Sequence, residues 1–279
     1  MREDDSGVRW DRTALLASPL FQTVRPLIEA LPEECFADCA TLNLLAQRRA
    51  LFNANGVPIR FVLPQGDAKI AACDYEGRAY RTGEVLTRPD NWHDLFNALA
   101  WLSFPRTKAL INRLHMAELA RQHGNTRNVA RDVLTLFDEG GMIVACSDPA
   151  LTELLHQFQW KRLFWERRDD VVVHMHFFVF GHAIHEKALA PYKGITAKAI
   201  CVAVEADFTA LTVAERLDRL DAAVAAALSE SQTLSSTATL QPLPILGIPG
   251  WTMDNEQSAY YDDAQHFRPG RMRARSKAK

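Results

Sequence analysis

Residues 171–189 read VVVHMHFFVFGHAIHEKAL, and the folding of this stretch decides how the rest of the chain is organised. Its first half is β-branched and aromatic, Gly181 interrupts it, and His182, His185 and Glu186 follow at helical spacing. The pattern predicts a buried strand over 171–180 that turns at Gly181 into a short helix. Ligands of α/β sheets gather beyond C-terminal strand ends and near helix N-termini, so this junction is the first place to look for a site. After it, Pro191 and Gly194 lead to a second apolar run at 199–204. Strand, helix and strand within 171–205 form a βαβ unit, right-handed if its strands are parallel.

Upstream, residues 1–50 show apolar positions at helical spacing, cut into short pieces by Pro19, Pro26 and Pro32, which predicts a helical N-terminal region. Alternation and turn signals over 58–87 predict short, antiparallel strands. A helix capped by Asp90 covers 91–104, and a second starts at Pro105 and runs to about 122. Two strands, 133–137 and 142–146, flank Asp138-Glu-Gly-Gly141 as a hairpin. Ser147-Asp148-Pro149 starts a helix to about 167, and 212–227 is an alanine-rich amphipathic helix. The stretch 242–251 has proline or glycine every few residues and reads as an irregular segment packed across the surface. The expected architecture is α/β or α+β: a mixed sheet with packed helices in a single globular domain, 1–269. Residues 270–279 form a basic tail expected to be disordered.

Bulk properties exclude several classes. With 48% apolar and 24% charged residues the composition is that of an ordinary globular protein. A formal charge of −2 gives no global field for nucleic acid or membranes. Five cysteines in no metal-binding pattern fit a reducing compartment. The N-terminus, MREDDSGVRW, is wrong for a secretory signal, and no apolar run approaches the roughly 20 residues of a membrane span. The expected location is the cytoplasm, without membrane contact.

Four phrases carry a family likeness: NWHDLFNALAWLSFP at 91–105, LTLFDEGG at 134–141, FVFGHAIHEKALAPYKGITAK at 178–198, and LPILGIPGWTMDNEQSAYYDDAQHFRP at 243–269. Together they resemble the family known as domain of unknown function 3025, over roughly residues 10–270. The resemblance implies a bacterial origin and a single domain of conserved length. It lends no residue a catalytic role, so function has to be read from chemistry.

The helix over 91–104 is apolar nearly all round and must be buried. Its polar residues His93, Asp94 and Asn97 share about a third of its circumference. They either form a hydrogen-bonded network in the core or line a cleft as catalytic groups. His182 and Glu186 sit one turn apart at the strand–helix junction and are the other catalytic candidates; the alternative is a pair of core hydrogen-bonding residues. His185 shares that helix and is a candidate metal ligand. His174 and His176 would project from one face if 171–180 is extended, a spacing that metal-dependent hydrolases use for two ligands; otherwise they are wet strand histidines. Asp138 and Glu139 read as ordinary turn residues. Trp251, Glu256 and Arg268 follow the irregular loop as substrate-binding candidates, Arg268 for an anion.

P-loop, G-x-S-x-G and G-x-G-x-x-G signatures are missing. The expected function is a hydrolase using a divalent metal such as zinc on a small anionic or phosphorylated substrate. The alternative is a non-catalytic binding protein for an anionic ligand or RNA, helped by the basic tail.

Overall fold

The computed structural model describes residues 9–64, 72–121 and 128–271. The N-terminal region is helical, as expected: α1 (Arg12–Ala17), α2 (Arg25–Ile28) and α3 (Cys39–Arg48). β1 (Arg60–Val62), α4 (Ala72–Thr82) and β2 (Glu84–Leu86) follow, then α5 (Trp92–Ser103), α6 (Pro105–Arg121) and α7 (Val129–Gly140). The remaining elements are β3 (Gly141–Cys146), α8 (Pro149–His156), α9 (Arg168–His174), β4 (Met175–Val179), α10 (His182–Lys187), β5 (Thr196–Ala203), α11 (Val213–Ser229) and β6 (Gln241–Pro244).

A four-stranded mixed sheet, in the order β4-β3-β5-β6, forms the middle layer. β3 runs parallel to β5 and antiparallel to β4, and β6 is antiparallel to β5. β3 (GMIVAC) has no charged residue and is buried throughout, as a central strand covered on both faces must be. Its alternate residues serve two cores. Met142, Val144 and Cys146 join α5, α8 and the N-terminal helices, whereas Ile143 and Ala145 join α6, α7 and α11. The fold is a mixed α/β arrangement with helices on both faces. Among the described residues, no helix is long and apolar enough to cross a membrane.

Several expectations are corrected. Between 58 and 87 the two short strands are parallel, with α4 between them, so the antiparallel reading fails. Residues 133–137 are helical: Asn128 caps α7 by accepting from the Arg131 N–H, and Val133, Leu134 and Phe137 face the core. The Gly-Gly is therefore a helix end running into β3, not a hairpin turn. Residues 168–174 form α9, and only Met175–Val179 is strand. Of the three valines only Val171 is buried, while Val172 and Val173 are exposed, so β-propensity had no buried surface to act on. Asp169 and Asp170 sit in the first turn of that helix, where the macrodipole favours acids.

The strand–helix–strand succession in 171–205 is present, but it is no parallel βαβ unit. β3 lies between β4 and β5, and the two run in opposite directions. Within 242–251, β6 is a regular strand despite Pro242 and Pro244. It lies at the sheet edge, where a missing N–H breaks no ladder on the outer side. The helix expected to reach 167 stops at His156, and Phe158 follows with a left-handed φ of 58°. Asn91, rather than Asp90, caps α5. Most of the basic tail, 272–279, lies outside the described residues. Arg271 donates to the carbonyls of Ala238 and Leu240.

Candidate metal centre

α5 is buried along most of its length, with Asn91 accepting from the Asp94 N–H to start it. The three polar residues of its first half turn to three different sets of partners. Asp94 takes the Arg88 side chain at 2.7 and 2.8 Å and the Arg88 backbone N–H at 2.8 Å, which fixes the loop leading into the helix. Asn97 donates to the Tyr75 hydroxyl at 2.5 Å and accepts from Lys108 Nζ at 2.9 Å. His93 faces α10.

The opposing half comes from the junction at Gly181. Its N–H donates to the Gly141 carbonyl at 2.9 Å. A Cβ at position 181 would lie 2.4 Å from the Glu139 carbonyl oxygen and from Gly141 N, so only glycine lets the chain pass there. This close crossing sets His182, first residue of α10, beside Glu139 at the end of α7.

Three donor side chains converge as a result. His93 Nε2 and His182 Nε2 are 3.1 Å apart, and His182 Nε2 is 3.3 Å from Glu139 Oε2. The ligand atoms of His93, Glu139 and His182 all lie within 4.8 Å of one another, a group that could hold a metal ion. Two nitrogens on one tetrahedral zinc, at bond lengths near 2.0–2.1 Å, are themselves about 3.3 Å apart. The side chains of His93 and Glu139 are 36% and 45% exposed, whereas His182 is 5% exposed, so the group has one buried anchor and an open side.

Glu186 stands behind His93, its Oε2 2.9 Å from Nδ1. A carboxylate only accepts, so the proton sits on Nδ1 and Nε2 is turned toward His182. The hydrogen bond that His93 donates to Glu186 raises the His93 pKa above its ordinary value against the effect of burial, and His93 in return lowers that of Glu186. Burial pushes Glu139 up, but His182 and His93 outweigh it and keep its carboxyl below the usual range. His182 Nδ1 is buried with no hydrogen-bond partner among the described residues.

A second polar assembly continues from Asn97. Lys108, 5% exposed, donates to Asp138 Oδ1 at 2.6 Å as well as to Asn97. Burial raises the Asp138 carboxyl, yet Lys108 and His182 hold it below its ordinary value. Tyr75 is pushed well above its own by burial and by nearby Glu76.

His93, His182 and Glu186, all singled out in the sequence, thus meet in one place. Asp94 and Asn97 serve other partners. The three proposed metal ligands do not join the cluster. α9 ends between His174 and His176, which removes the shared strand face, and His174 Nδ1 instead meets Ser147 Oγ at 3.1 Å. His176 is half-buried, its pKa lowered by burial and by Arg216. His185 points inward and stacks on Phe21 and Phe96, with neither ring nitrogen partnered; burial, then the nearby His182, takes its pKa down to about 3. Trp251 is core, edge-on to Phe177; Glu256 pairs with Arg168; and Arg268 Nε donates to the Gln265 carbonyl. None of these three bonds to the histidine cluster. Glu139, which reads as an ordinary turn residue in Asp-Glu-Gly-Gly, is instead the third donor of the cluster. The available signal was the helical spacing of Val133, Leu134 and Phe137 before it.

No curated protein and no solved structure matches the chain. Residues 59–271, which carry α5, α7 and α10 and so every member of the cluster, match the family described as protein of unknown function (DUF3025), and the chain belongs to that family.

Proposed function

We propose that His93, His182 and Glu139 bind a divalent transition metal and that the protein is a metal-dependent hydrolase of small anionic, phosphorylated substrates. One observation carries this reading: two imidazole nitrogens and a carboxylate oxygen meet at the spacing of ligands on a single ion. Two histidines, one carboxylate and an open side are a donor set of catalytic zinc sites, in which a bound water becomes acidic enough to attack near neutral pH. Glu186 then orients His93 and strengthens it as a ligand, the role outer carboxylates play toward metal-bound histidines. His182 lacks such support and relies on burial and the backbone crossing at Gly181. Glu139 is the most exposed of the three and is placed to share its second oxygen with an incoming water.

The test is elemental analysis of protein purified without added metal or nickel resin, followed by hydrolysis of a panel of phosphate esters. Near-stoichiometric zinc, manganese or iron is expected, falling at least about tenfold in His182→Ala and Glu139→Gln, with hydrolysis lost on chelation. A wild-type protein that neither retains nor takes up any of these metals, while folded, overturns the proposal.

A further inference from the structure

A cleft of about 700 Å³ opens along the edge strand β6, away from the residues of the metal cluster. Its floor follows from strand register. Thr196 is opposite Pro244 and Lys198 opposite Pro242, while the intervening Ala197, Ala199 and Leu243 are buried in the core. Lys198, His266, Arg268 and Arg271 line it together with Phe158 and Trp160, and among the described residues no carboxylate does. The acid nearest in sequence, Asp263, is taken by Lys193 and His266.

Three cations here have no counter-ion among the described residues. Arg268 and Arg271 are held in place by main-chain carbonyls, Gln265 for the first and Ala238 and Leu240 for the second, which orient a guanidinium without neutralising it. The Lys198 ammonium has no hydrogen bond or ion pair among the described residues. Burial, and then the charge of Arg271, lower its pKa, so the positive charge is already uncomfortable. Gathering like charges in a concave site is unfavourable until an anion enters, and it focuses the field that attracts one. The aromatic wall is also constrained. Phe158 is held at a φ of 58°, a region bulky residues adopt only at an energetic cost, and the Arg271 guanidinium lies 6.0 Å from its ring centre.

We propose that this cleft binds a phosphorylated small molecule carrying a flat aromatic group, of the nucleoside diphosphate class. Its phosphates meet Lys198, Arg268 and Arg271, and its ring lies against Phe158. The volume is that of a small-molecule site, which favours a single nucleotide over a polymer. The site stands independently of the metal reading, because it shares no residue with the histidine cluster.

Titration calorimetry of the full chain in chelator, with ADP, pyrophosphate and adenosine as probes, tests it. ADP is expected to bind more tightly than pyrophosphate, and adenosine most weakly. Lys198→Met should weaken ADP at least about tenfold without lowering the melting temperature, since the ammonium has no partner to lose among the described residues. His182→Ala should bind ADP as the wild type does, so failure of the metal site leaves this result intact. Absence of heat with all three probes overturns the proposal, as does unchanged affinity in Lys198→Met. Single-stranded RNA that displaces ADP with a steep salt dependence also overturns it, and assigns the cleft to a polymer.

Discussion

Two polar assemblies grow from the same buried helix, and they differ in what balances their charge. Around Asn97, Lys108 supplies a cation to Asp138, and nearly every donor finds an acceptor within the protein. Around His93, two imidazoles and two carboxylates converge, and the partners of both carboxylates given by the described residues are histidines. The first assembly is complete as it stands. On the proposed reading the second is completed by a metal ion from outside, which is what would separate a structural network from a binding site built of similar residues.

The largest effect should come from breaking the complete assembly. Lys108→Met leaves the Asp138 carboxylate buried without its cation and Asn97 without a donor, which should cost about 3–5 kcal/mol in urea unfolding. The same variant, where folded, should still take up metal. Loss of metal together with stability would show that the two assemblies act as one.

His185 sharpens the comparison, since it is a buried histidine with neither a partner nor an open side. Its pKa of about 3 lies below the ordinary 6.5, so the unfolded chain binds a proton across that interval and the native protein does not. Stability should therefore fall with acidification below 6.5, by up to about 1.4 kcal/mol per pH unit from this group alone. His185→Leu should flatten that slope and leave metal content unchanged. A slope that persists in the variant means that other groups carry it.

The smallest effect concerns the His93–Glu186 pair in metal-free protein. His93 is raised, so its contribution is complete below the ordinary 6.5 and fades as pH climbs through the raised value. Glu186 is lowered, so its contribution is present above the ordinary 4.5 and fades as pH falls through the lowered value. The stability difference between wild type and Glu186→Gln should thus be greatest between the two ordinary values, 4.5 and 6.5, and shrink as pH climbs through the raised His93 value. Because both side chains are about a third exposed, the difference should stay below about 1 kcal/mol. A difference that grows toward pH 9 contradicts the pairing.

Much of this was legible in the sequence where one signal dominated. A helix that is apolar all round has to be buried, so α5 and its polar stripe could be found without knowing their neighbours. The glycine before His182 marked the junction for a similar reason. What could not be read was pairing at a distance. Lys108 sits in a helix that looks ordinary until Asn97 and Asp138 are placed beside it. Tyr75 fell in a segment whose alternation suggested a strand. Glu139 was hidden by Gly140-Gly141, because the same dipeptide serves a hairpin turn and a helix that ends directly in a strand. The mixed sheet was expected, yet its order was not. Which strand inserts between β4 and β5 depends on the complementarity of their faces, not on their nearness in the chain.

The crossing of Gly181 over Glu139 and Gly141 has a consequence for how this site can change. The span between positions 139 and 182 is set by main chain against main chain, so it behaves as a fixed ruler rather than a product of side-chain packing. Side chains at 139 and 182 can be exchanged without moving the frame that holds them apart. On the proposed metal reading, selectivity between a harder and a softer ion would then be retuned by swapping one carboxylate or imidazole at a time. Gly181 has no such latitude, and neither has Gly141, where a Cβ would lie 2.3 Å from the Phe137 carbonyl oxygen. Gly181→Ala would change the length of the ruler itself, and with it every chemistry that the frame can support.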